Sequence, residues 1–171
     1  EVLVFHATGA GGQAMEGLID SGFIKGVLDA TTTEWADELV GGVLSAGPTR
    51  LEAAGKAGIP QVVSVGALDM VNFGPPSTIS TEFKDRNFYQ HNPTVTLMRT
   101  TVDECRRLGK FIAAKLNGAN GPTFLYLPLK GVSMIDAAGQ PFYGPVEDAA
   151  LFDALRQHID PAKVTLIELD Q

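Results

Sequence analysis

Glycine and proline punctuation separates six short apolar runs with the look of strands: residues 2–6, 24–29, 61–65, 87–91, 123–128 and 164–169. The runs Val2–Phe5, Val62–Val65 and Phe124–Leu127 are almost continuously hydrophobic, as expected of parallel strands covered on both faces. Between the runs, apolar residues return at helical spacing. Ala14, Met15, Leu18 and Ile19 make one stripe, closed by Gly22, and Trp35, Ala36, Leu39 and Val40 make a second. Capping-box spacings stand at Thr31–Glu34, Thr49–Glu52 and Thr101–Glu104. The second opens a helix stopped at Gly58. The third opens the longest helix, with Cys105, Leu108, Ile112 and Leu116 on one face. Leu151, Phe152, Leu155 and Ile159 stripe the last helix, which stops at Asp160-Pro161.

Strands alternating with helices predict a Rossmann-like α/β fold: a three-layer α/β/α domain over residues 1–171 with a mostly parallel sheet of about six strands. The order stays open between the two common doubly wound arrangements. Either puts the carboxyl ends of the strands on one edge, where open α/β sheets bind ligands. Two connections, 66–86 and 129–146, follow strands onto that edge. They are apolar yet lack a helical or strand period, which predicts covering loops. Met70, Val71, Phe73 and Phe142 would then form an apolar wall inclined to self-associate.

A composition of 44% hydrophobic and 19% charged residues fits one globular domain. The formal charge of −7, with no basic cluster, argues against nucleic acid as a partner. No run approaches the ~20 apolar residues of a membrane span. A single cysteine permits no internal disulfide, so the expected compartment is the cytoplasm. Glu1 is not a natural start, which suggests a piece of a longer polypeptide.

The turn Ala7-Thr8-Gly9-Ala10-Gly11-Gly12-Gln13-Ala14 lies between an apolar run and a helix start. Gly9, Gly11 and Ala14 fit G-x-G-x-x-G/A, in which backbone amides at a helix N-terminus receive a phosphate. Asp29, ending the next apolar run, stands where an acid meets a ribose hydroxyl. Glycines that only turn the chain, and an acid that only solvates a strand end, would read the same way. If the turn holds an anion, Gly11→Val blocks it and leaves the fold intact.

Four phrases carry a resemblance: Phe5–Glu16, Asp37–Gly47, Gly66–Gly74 and His91–Thr100. Together they resemble the C-terminal half of an uncharacterised, ATP-binding protein family of bacteria, fungi and plants, which includes the tomato mosaic virus resistance protein. The resemblance covers most of the chain. It implies two α/β subdomains, with this chain the second and the N-terminal subdomain missing, together with ATP binding and homo-oligomerisation. It assigns no reaction and no residue contacts.

Candidate chemistry therefore rests on edge geometry. His6 and His91 each end a strand on the predicted edge, and Asp69 follows Gly66 onto it, so acid–base catalysis is one reading. A two-histidine, one-carboxylate metal site from the same three lacks any H-x-x-x-H or C-x-x-C support, and no metal is expected. Arg99 and Lys130 are the cations best placed to join Thr8, Gly9, Gly11 and Gly12 around a polyphosphate. No G-x-x-x-x-G-K-S/T loop and no G-x-S-x-G elbow occurs. Cys105 and the Trp35 and Met15 stripes read as core. Three functions follow: a nucleotide-binding domain, an enzyme acting on a phosphorylated or carboxylated metabolite through His6 and His91, or an interaction module docking through 66–86.

Overall fold

The structure, a computed structural model, describes residues 1–170. Its main sheet is parallel, built from β1 (Val27–Thr31), β2 (Gln61–Gly66), β6 (Thr123–Pro128) and β7 (Val164–Leu169) in the order β1-β2-β6-β7. Three further strands, β3 (Met70–Phe73), β4 (Phe88–Asn92) and β5 (Val95–Arg99), form a small antiparallel sheet in the order β3-β5-β4. The helices are α1 (Ala10–Asp20), α2 (Glu34–Val40), α3 (Ala53–Ala57), α4 (Val102–Asn117) and α5 (Pro145–His158). The α/β class with a mostly parallel sheet holds. None of the helices is long and apolar enough to cross a membrane.

The strand order is sequential, unlike either doubly wound arrangement. Parallel strands joined in sequence by right-handed crossovers place every helix on the same face, and the register shows it. Val27, Asp29, Val63 and Leu125 share one side of the sheet. Val27 packs with Ile19, Ala53 and Ala54 from α1 and α3, while Val63 and Leu125 pack with α4 and α5. The opposite side, with Leu28, Val62 and Phe124, carries no helix among the described residues. The second helical layer read from the sequence has no occupant there.

Strand candidates 61–65, 123–128 and 164–169 fall where expected, and 24–29 moves on to Val27–Thr31. Residues 2–6 lie outside every strand, and most of them are exposed. Residues 87–91 do form a strand, but an antiparallel one, because Pro93 turns the chain back into β5. Segment 66–86 is not an irregular cover either. It contains β3, and Leu68, Val71 and Phe73 enter the main core. Phe142, in the other long connection, is 1% exposed. The wall expected of these residues is interior.

Thr101 and Glu104 form the predicted capping box, each side chain bonded to the other's backbone N–H. The other two spacings do not. Thr33 donates to the Met70 carbonyl and Thr32 to that of Ser64, while Glu52 takes ion pairs from Lys56 and Lys115. These hydroxyls and this carboxylate join separate elements instead of closing a helix end.

The α4–α5 contact allows no added volume. A Cβ at Gly109 would stand 2.7 Å from Ala154 Cβ and 2.8 Å from the Leu151 carbonyl oxygen. Overpacking of this kind costs about 1–3 kcal/mol. Gly109→Val should therefore lower the urea midpoint markedly, whereas Gly17→Ala, with open space around it, should not. Equal midpoints would contradict this packing.

Candidate functional site

The glycine turn is already holding an anion, and that anion belongs to the protein. Glu34 is 1% exposed, and its Oε1 accepts from the amides of Gly9 at 2.7 Å and Gly12 at 3.2 Å. Its Oε2 accepts from Arg50 Nε at 2.5 Å. Arg50 in turn donates to both carboxylate oxygens of Asp29, at 2.5 and 2.8 Å. Burial works against the Arg50 cation, but the bonds to Asp29 and Glu34 outweigh it and raise its pKa. Asp29 is thus an ion-pair partner on the helix side of β1. Two of the amides that a phosphate would use, those of Gly9 and Gly12, are satisfied by a carboxylate at the N-terminus of α1.

The glycines answer to this crowding. Gly9 sits at φ +78°, and a Cβ there would lie 2.7 Å from the Ser45 carbonyl oxygen. At Gly12 it would meet Glu34 Oε2 at 2.5 Å, and at Gly11 the His6 carbonyl oxygen at 1.9 Å. Gly11→Val therefore displaces the backbone at His6, so the expectation that this change spares the fold is withdrawn.

Arg99 is the second buried guanidinium. It donates to Asp136 at 3.0 Å, to Asp148 at 2.7 Å and to the carbonyls of Phe142 and Gly144. Asp136 Oδ2 accepts from the Val132 amide, and Asp69 Oδ2 accepts from the Ser133 hydroxyl at 2.7 Å. Together these contacts pin segment 129–146 against the antiparallel sheet. Arg99 is thus the anchor of a loop, not an open cation. Lys130 is exposed and ion-paired with Asp170.

The expected trio does not assemble. Asp69 is fully buried at the carboxyl edge of the main sheet, and the Thr100 amide donates to its carbonyl. His91 lies at the far end of the small sheet, beside the Asn92–Val95 pair. Five residues of β5 separate the two ends, roughly 16 Å at ~3.3 Å per residue. His6 is exposed in the segment before α1, and Thr8 beside it is also exposed.

One cleft of about 1100 Å³ gathers several of the sequence candidates. His6, Thr8, Gly12, Asp29 and Arg50 are among its polar lining, and Met15, Phe23, Ile24 and Leu28 among its apolar lining. It opens between segment 1–8 and the free edge of β1. Reversal of strand order plays no part in it, because the sheet has no switch point among its described strands.

Sequence reasoning missed Glu34 and Arg50, the residues that fill the turn. The available signal was the position of Glu34 just ahead of the Trp35–Val40 stripe, which its spacing from Thr31 explained locally. Asp37 was also missed: fully buried, it accepts from the amides of Asn72 at 2.7 Å and Leu44 at 2.8 Å. Cys105 is buried, as read from its stripe, and burial pushes its thiol up to about 11.

A family model described as the C-terminal domain of an uncharacterised protein family (UPF0261) matches residues 1–171. A UPF0261 protein of Clostridium tetani is 65% identical over 170 residues, which are 99% of this chain and 42% of that protein. One from Mesorhizobium japonicum is 51% identical over 161 residues, 94% of this chain and 41% of that protein. The tomato protein named ToMV resistance protein Tm-1(GCR237) is 52% identical over 160 residues, 94% of this chain and 21% of that protein. The chain thus spans well under half the length of these relatives.

Two outcomes test the buried groups. Glu34→Ala leaves Arg50 short of a partner and two amides unsatisfied, a loss expected to cost about 3–5 kcal/mol; a urea-unfolding difference below about 1 kcal/mol would remove Glu34 from this role. The second concerns pH. Burial first, then the charge of a neighbouring acid, raises Asp37 and Asp69 from 3.8 to about 6. Between those values the folded state holds more protons than the unfolded one. Their contribution therefore favours folding most at the acidic end and is lost as pH rises through about 6. In Asp69→Asn the thermal midpoint should change less between pH ~5 and ~7 than in the parent. An identical change in both proteins is the contrary result.

Proposed function

The chain belongs to the uncharacterised protein family UPF0261, as its C-terminal domain, and from that premise we propose that it forms one wall of a nucleotide site in a longer, two-part protein. The observation that carries the reading is the cleft of about 1100 Å³ beside the glycine turn. Its apolar lining, with Met15, Phe23 and Ile24, suits a base. Its polar lining offers the Thr8 hydroxyl and the His6 imidazole to a ribose or phosphate. Since Glu34 holds the amides of Gly9 and Gly12, and Arg50 holds Asp29, the ligand would meet the exposed residues ahead of α1. Arg99 and Lys130 lie outside this cleft.

The alternative enzyme reading required His6 and His91 together; His6 lines the cleft and His91 does not. Docking through 66–86 draws less support: Leu68, Val71 and Phe73 are in the core, which leaves only the exposed stretch 75–86 for a partner.

Calorimetry with ATP is the direct test. Thr8→Ala and His6→Ala, both at exposed positions, should each weaken ATP binding by the full-length polypeptide by about 0.5–1.5 kcal/mol. The 171-residue chain alone should bind more weakly than the whole. Unchanged affinity in both variants would end this proposal.

A further inference from the structure

The outward face of the main sheet is written as an interior surface. In-register pairing places Leu28, Val62, Phe124 and Thr165 in one row and Ser64, Tyr126 and Ile167 in the next. Leu28 is 75% exposed, Thr165 is exposed, and the other five are half-buried. No outward position on β2, β6 or β7 carries a charge. Exposed sheets alternate apolar and polar residues, whereas parallel strands covered on both sides are apolar throughout. With five apolar side chains, two small hydroxyls and no charge in these rows, this face stands nearer the second pattern, with one cover present.

The face continues into the cleft. Val2, Val4, Phe23 and Leu28 are all more than half exposed, and all four line it. The free edge of β1 and the apolar sheet face therefore form one corner, larger in character than scattered surface residues.

We propose that this corner seats the part of the polypeptide that precedes the matched domain in the family. Two observations select that occupant. The chain matches a C-terminal domain and covers 42% of the Clostridium tetani relative, so a longer stretch lies ahead of it there. That stretch joins at the segment carrying Val2 and Val4, which belong to the patch itself. A tethered partner at this point reaches the face at high effective concentration. The docking partner is thus an apolar surface of the same polypeptide, and the seat requires no nucleotide.

The test uses the full-length polypeptide without nucleotide. Leu28→Cys and Thr165→Cys place thiols on the outward row, and Lys110→Cys places one on the exposed side of α4. Cys105 is 1% exposed and contributes little background. Maleimide labelling, read by peptide mass spectrometry, should be roughly tenfold slower at 28 and 165 than at 110. Equal rates at the three positions would overturn the proposal. So would protection at 28 and 165 that vanishes on dilution as the mass falls from dimer to monomer, because the occupant would then be a second copy. Protection that persists in the monomer supports the seat, whatever the outcome of the ATP titration.

Discussion

The Arg50 guanidinium is the point on which this architecture turns. It is 2% exposed and touches carboxylates from β1 and from the start of α2. Through Glu34 it also reaches the amides at the start of α1. Each buried ion carries a desolvation penalty of several kcal/mol, so the network's value lies less in net stability than in arrangement. One cation faces three anions, Asp29 and Glu34 in direct bonds and Glu16 at 3.7 Å, and the excess negative charge is met by backbone amides and the positive end of the α1 dipole. Arg99 repeats the logic, fixing segment 129–146 through Asp136 and Asp148.

This arrangement explains why the glycine turn misleads when read as sequence. A phosphate-binding turn and a turn that receives a buried carboxylate need the same things: small residues, free amides and a helix start. What separates them is an acid some twenty residues away, and local spacing assigned that acid to a helix cap. The Thr101–Glu104 box was legible because both partners sit within one helical turn. The Thr31–Glu34 spacing was not, because Glu34 finds its partners in Gly9, Gly12 and Arg50, outside its own helix.

Strands followed the same rule. Runs 61–65, 123–128 and 164–169 were legible because central parallel strands need apolar side chains whatever their neighbours. Strands β3 and β5 were invisible because each exists through antiparallel pairing with the other. The four-residue β3 lies in a stretch with no period of its own. Buried Asp37 could not be found by pattern, and Asp69, singled out for its place after Gly66, gave no sign of its burial, since nothing local distinguishes a carboxylate satisfied inside a fold from one in water. The family resemblance was legible throughout, because it rests on whole phrases that survive any local misreading.

The sequential strand order also governs how the chain must assemble. Gln61 and Thr123, neighbours across β2 and β6, are 62 residues apart in the chain. Closing so long a loop is entropically slow before any contact offsets it. The intervening residues are not slack, however. They hold the antiparallel sheet and α4, whose own contacts are nearer in sequence. Once those have formed, the ends of β2 and β6 are separated by a compact insert instead of a free coil. Were the small sheet to form first, it would shorten the loop that the large one has to close, because the 62-residue separation would then be spanned by folded chain.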